Sequence, residues 1–109
     1  MRSLILVALM ATIDPPSDSS PAPVRVEIRT FQFAPDTARI ALGTKVVWTN
    51  QDEIEHTVTA GKPSEREGAF NVVLKTKGAI AERTFTTAGT FTYFCDRHQF
   101  MRGTINVTR

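Results

Sequence analysis

The chain has 109 residues, a length that fits one domain at most. Hydrophobic residues make up 41% of it, enough for a two-layer core but not for a membrane protein. The net charge of +2 comes with no lysine/arginine run and no basic stripe interleaved with aromatics, so nucleic-acid binding is excluded as a leading reading; a weakly positive surface suits an acidic protein partner or none in particular.

The first residues read as a processing segment. Arg2 supplies a positive charge, and residues 4–11 supply an apolar stretch of signal-peptide length. That stretch is far short of the roughly 20 apolar residues a membrane-spanning helix needs. No cysteine follows it directly, so a lipid anchor is not expected. Cleavage is expected after Ala11 or Ala22, neither of which has a clean small-x-small context. Residues 14–23 form a proline/serine linker without apolar periodicity. Residues 1–23 are thus read as leader and linker, residues 24–109 as the folded domain, and the protein as exported to the periplasm or another extracytoplasmic space.

From residue 24 the signals are those of β-structure. Val24, Val26 and Ile28 alternate with Arg25, Glu27 and Arg29, the period of a half-buried strand. Residues 31–35 follow, closed by Pro35. Residues 44–50 form a β-branched run after Gly43, and residues 56–59 a shorter strand ended by Ala60-Gly61-Lys62-Pro63. Residues 64–68 are polar and read as a loop. Residues 70–74 fit either a strand or one helical turn. Residues 84–86, a turn at Ala88-Gly89, residues 90–94 and residues 104–108 complete the pattern. No stretch beyond the leader keeps helical apolar spacing. Many short strands separated by Gly/Pro turns define an all-β sandwich.

Side chains alternate along a strand, so Phe91, Tyr93 and Cys95 share one face and point toward the core. Cys95 is the only cysteine of the chain. It cannot form an internal disulfide, and an exported thiol needs burial or another task. Three residues later stands His98, and three after that Met101. The only other histidine, His56, follows Asn50 and Asp52 beyond a tryptophan-bearing strand. Two imidazoles, a thiolate and a weak thioether are the donor set of a mononuclear blue-copper centre, a compromise geometry that suits both Cu(II) and Cu(I). Taken singly these residues mean little: a lone cysteine on an apolar face is more often inert core, and a lone methionine more often fills a gap. It is their combination that points to a metal.

The residues Phe31-x-Phe33-x-Pro35, Gly43-x-x-Val46-x-Trp48-x-Asn50-x-Asp52-x-x-x-His56-x-Val58 and Gly89-Thr90-Phe91-x-Tyr93-x-Cys95-x-x-His98-x-x-Met101-x-Gly103 resemble the small cupredoxins over about residues 24–108. The Cys-x-x-His-x-x-Met spacing is most similar to that of amicyanins; plastocyanins and pseudoazurins have a longer gap before the methionine. The resemblance implies an eight-stranded Greek-key sandwich with one copper ion at one end. It implies His56, Cys95 and His98 as strong ligands, Met101 as the axial one, and Asn50 as a residue tying the His56 loop to the Cys95 loop. It implies a soluble, monomeric one-electron carrier whose redox partners dock near His98. Three residues depart from the family pattern. Phe91 replaces a tyrosine, Ala88 a proline, and Arg97 a proline directly before His98. Arg97 brings an N–H within expected reach of the Cys95 sulfur, and a cation beside the metal. A copper carrier or buffer without a redox partner is the alternative. A copper enzyme would need further histidines, and a metal-free adhesion sandwich is the structural alternative, which spectroscopy separates from an electron shuttle.

Overall fold

The computed structural model describes residues 20–109, so the leader and linker expected over residues 1–23 lie almost wholly outside the described residues. Nine strands follow: β1 Val24–Arg29, β2 Gln32–Ala34, β3 Thr37–Ala41, β4 Lys45–Asn50, β5 His56–Lys62, β6 Glu65–Leu74, β7 Ile80–Thr84, β8 Gly89–Phe94 and β9 Arg102–Thr108. They form two sheets, ordered β2-β1-β4-β7 and β3-β9-β8-β5-β6. β1 lies parallel to β4 and β3 parallel to β9, while the remaining pairs are antiparallel. Parallel neighbours cannot be joined by a hairpin, so the chain passes from one sheet to the other between them, as in a Greek-key sandwich.

The inward faces meet in one core. Val26 and Ile28 from β1, Val46 and Trp48 from β4, Val58 from β5, Tyr93 from β8 and Ile105 and Val107 from β9 are all buried. Trp48 spans the two layers: its ring packs edge-on to Tyr93 at 5.4 Å and tilts against Phe85 at 6.5 Å. Phe33 also meets Tyr93 edge-on, at 4.7 Å. Such offset and edge-on pairs are the favoured arrangements of aromatic rings.

Several strands differ from the expectation of about eight. β3 is an additional edge strand, with Ala38 and Ile40 as its inward residues. The polar residues 65–68 are not a loop. They open β6, an edge strand that is exposed along most of its length. Charged side chains are usual on such edges, which must resist pairing with another chain. Residues 70–74 are the rest of that strand, not a helical turn. The strand expected at residues 84–86 lies earlier, at β7, where Arg83 occupies a half-buried position. Its guanidinium stacks over Phe70 at 4.8 Å and Phe85 at 5.8 Å, so a cation fills a place where the pattern called for an apolar residue.

The topology gathers four chain segments at one end of the sandwich. β1 and β4 run side by side and both finish there, with Ile28 opposite Asn50. β5 starts there with His56, and β8 ends there just before Cys95.

Candidate metal centre

His56 and Cys95 are completely buried, and His98 is partly exposed. His56 leads β5 and is held by the sheet. Cys95 follows β8 directly, so its side chain continues the inward face that carries Tyr93. Between Cys95 and Met101 the chain makes one tight loop. Two backbone hydrogen bonds close it: the Cys95 N–H donates to the Met101 carbonyl at 3.1 Å, and the Met101 N–H to the His98 carbonyl at 2.8 Å. Met101 is buried in the same core, 2% exposed, at the foot of β9.

The donor atoms converge. Cys95 Sγ lies 3.7 Å from His56 Nδ1 and 3.8 Å from His98 Nδ1, and the three groups fall within 4.8 Å of one another. An N/S-bound divalent ion has bonds of about 2.0 Å to imidazole and 2.3 Å to thiolate. At trigonal angles those lengths separate nitrogen from sulfur by about 3.7 Å. The observed spacing therefore fits one metal ion at the centre of the three donors.

The neighbourhood fixes the donors in place. Thr57 does most to join the two loops. Its N–H donates to Cys95 Sγ at 3.4 Å, and its hydroxyl oxygen accepts the Asp96 N–H at 2.7 Å. A hydrogen bond to the sulfur stabilises the thiolate in a buried site. Asn50 is also fully buried, but its bonds run elsewhere. Its Nδ2 donates to the Ile54 and Leu74 carbonyls at 2.9 and 3.2 Å, and its Oδ1 accepts the Asp52 N–H at 2.9 Å. Asn50 thus shapes the loop leading to His56 and pins it to the end of β6. Among the described residues it makes no hydrogen bond to the Cys95 loop, and the tie expected of it is made by Thr57.

Arg97 is likewise placed differently from expectation. Its guanidinium pairs with Glu55, which partly neutralises the cation beside the centre. The N–H that reaches Cys95 is that of Thr57. On the other side of the loop, Asp96 pairs with Arg66 at 2.5 Å. That hydrogen bond holds the Asp96 carboxyl below its ordinary value, outweighing its slight desolvation.

Two residues near the centre stand in the sequence motifs without a role assigned to them there. Phe31 stands edge-on to both imidazoles, with centroids 5.4 Å from His56 and 5.0 Å from His98. Asp52 accepts from His56 Nε2 at 2.7 Å. Burial pushes its carboxyl up, but hydrogen bonds from the Phe31 N–H, His56 and the Thr30 N–H together outweigh burial and hold it below its ordinary value. Both lie in the quoted motifs, but nothing local in the sequence shows what they touch. Asp52 is four residues from His56, but its other two partners are more than twenty residues away.

A β-sandwich that brings two imidazoles and a buried thiolate together at one end, with the thiolate, one imidazole and a methionine on a single tight loop, defines the type 1 copper class. The comparisons agree. Copper binding proteins of the plastocyanin/azurin family match residues 22–108. The amicyanin of Paracoccus versutus is 34% identical over 98 residues, covering 90% of this chain and 71% of the relative. The plastocyanin of Scenedesmus fuscus is 32% identical over 83 residues, covering 69% of this chain and 85% of the relative. Among solved structures, a methionine-to-alanine variant of amicyanin in the Cu(I) form superposes with a TM-score of 0.70 at 29% identity, covering 79% of this chain and 82% of that one. The chain belongs to the plastocyanin/azurin family of copper-binding proteins. It is an amicyanin-like cupredoxin that takes one copper ion and works as a one-electron carrier.

Proposed function

We propose that His56, Cys95, His98 and Met101 are the ligands of the copper ion, and that the protein is a soluble, monomeric periplasmic shuttle rather than an enzyme. The convergence of His56 Nδ1, Cys95 Sγ and His98 Nδ1 within 4.8 Å is the observation that carries this reading. Bound there, copper supplies a one-electron couple. The chain's part is to keep its donors still, so that little rearranges when the charge changes. His56 sits on a strand, Cys95 at the end of another, and the loop between Cys95 and Met101 is stapled at both ends. Burial of Cys95 keeps water and oxidants from its sulfur. Adding Cu(II) to the purified apoprotein tests the assignment, and an intense blue colour is the expected result. Fast electron self-exchange with slow copper loss separates a shuttle from a copper buffer.

Met101→Gln is expected to keep the blue colour and lower the reduction potential, because an amide oxygen is harder than a thioether and favours Cu(II). Voltammetry giving an unchanged or higher potential would count against Met101 as the axial ligand.

His98 is the donor nearest to solvent, and it sits among apolar side chains. Phe31 is 38% exposed, and Phe100, 6.2 Å from the His98 ring, is 71% exposed. We assign this face to docking of redox partner proteins, with electrons crossing at the His98 edge. Truncating an aromatic anchor at the centre of such a contact costs about 2 kcal/mol of binding. Phe100→Ser is therefore expected to slow electron transfer to a physiological partner by roughly 30-fold at subsaturating concentrations. Stopped-flow rates that match the wild type would place docking elsewhere. The leader pattern of residues 2–11 supports export. Among the described residues, no helix is long and apolar enough to cross a membrane.

A further inference from the structure

The β1–β2 hairpin turns through only two residues, Thr30 and Phe31, since Arg29 pairs with Gln32. Both have left-handed backbones, with φ of 53° and 58°. Such turns favour Asn-Gly, because a side chain at positive φ is strained, most of all a β-branched one. Each such residue costs about 1–3 kcal/mol and persists only where its surroundings enforce it. Here the enforcing group is Asp52. Its two carboxylate oxygens accept the Thr30 N–H at 2.7 Å and the Phe31 N–H at 3.0 Å. The oxygen that takes the Phe31 N–H also accepts from His56 Nε2 at 2.7 Å. One carboxylate thereby joins the strained turn, the imidazole of His56 and the start of the Asn50–His56 loop.

The acids around it are differently placed. Glu53 pairs with Lys77 and Glu55 with Arg97, whereas among the described residues Asp52 has no lysine or arginine partner and faces the His56 imidazole alone. Its side chain is 15% exposed, so solvent screens its charge only in part.

Resting on the ligand assignment above, we propose that Asp52 is a positioning and potential-setting residue. Its carboxylate orients His56 through Nε2, makes that imidazole a stronger donor to the oxidised metal, and holds Phe31 edge-on across both histidines. The Nε2–H bond fixes the tautomer, leaving Nδ1 free to face Cys95. The negative charge favours the more positive oxidation state, so Asp52 lowers the reduction potential. The turn's strain is the cost of placing an aromatic ring where Asn-Gly would leave none.

The test is Asp52→Asn in the copper-loaded protein. Asparagine keeps an oxygen for a backbone N–H but removes the charge and the strong bond to His56. Loss of such an outer partner weakens metal binding by about 10-fold or more. A loss that is tenfold greater for Cu(II) than for Cu(I) raises the potential by about 59 mV. The expected result is a blue protein with a higher potential, and Asp52→Glu returning part of the way to the wild type. In the diamagnetic Cu(I) form, the His56 Nε2 proton is expected to exchange slowly with solvent in the wild type and quickly in Asp52→Asn.

If Asp52→Asn does not fold, Thr30→Gly removes one of the two strained side chains, and Thr30→Gly/Asp52→Asn is compared with Thr30→Gly alone. A blue variant with an unchanged or lowered potential overturns the proposal. So does a His56 Nε2 proton that stays equally protected. A wild type that fails to turn blue with Cu(II) overturns the ligand assignment instead, so the two failures are distinct.

Discussion

Cys95→Ser is expected to abolish the intense visible band of the Cu(II) protein and to leave the sandwich folded. The band requires charge transfer from a thiolate to copper, and serine has no thiolate to offer. The fold survives because the substitution is small. Cys95 is fully buried, and its sulfur accepts the Thr57 N–H at 3.4 Å. A serine hydroxyl is similar in shape, with its oxygen drawn back by the shorter bond to Cβ, and it can still accept the Thr57 N–H once the side chain relaxes. Burying a hydroxyl that keeps one hydrogen bond costs about 1–2 kcal/mol, too little to unfold a domain of ordinary stability. Absorbance of the Cu(II)-loaded variant and thermal melting of its apoprotein separate the two statements. A full-strength band in Cys95→Ser would mean that the colour, if present, comes from another centre.

The parts of this protein legible in the sequence are those encoded locally. Cys95, His98 and Met101 are three residues apart in turn, and cysteine and histidine are rare in the chain, so their clustering stood out. β1 alternates cleanly because one face meets the core and the other meets water. β6 does not, because an edge strand with little burial places polar residues on both faces, and its first half read as a loop. β7 was displaced because Arg83 packs its guanidinium on two aromatic rings and so hides an inward position behind a charge. The relations around the metal centre were the least legible. Thr57 bonds to Cys95 and Asp96 across about forty residues, and Asp52 bonds to the Thr30–Phe31 turn across about twenty. No local pattern encodes such pairings, since they depend on which strand ends the topology brings together. Asn50 illustrates the limit of reading by resemblance. Its position was right for a residue that shapes the site, but its bonds go to Ile54 and Leu74, and a threonine makes the link between loops.

Gly103→Ala is expected to be one of the most damaging single-methyl additions outside the donors. A Cβ built at Gly103 would lie 2.1 Å from Tyr93 Cζ, 2.3 Å from its hydroxyl oxygen and 2.6 Å from Cε1. Tyr93 pairs with Gly103 across β8 and β9, and its ring lies over the glycine. The ring has nowhere to go: it is 1% exposed, and Phe33 and Trp48 press on it at 4.7 and 5.4 Å. Relief must come from separating the two strands or shifting the core, an overpacking cost of about 3 kcal/mol. For a chain of this size that lowers the melting temperature by roughly 15 °C. The damage reaches the metal centre as well, since Cys95 follows Tyr93 by two residues and Met101 precedes Gly103 by two. The loop between them is held by the Cys95–Met101 backbone bond, so strands forced apart loosen the donors, and the blue band is expected to weaken along with stability. Tyr93→Leu placed in the Gly103→Ala background removes the opposing ring atoms and should recover part of the loss, a non-additivity that marks direct contact. Gly103→Ala melting within about 2 °C of the wild type, or a double variant no more stable than the sum of its two parts, would show that the methyl is accommodated by some other movement.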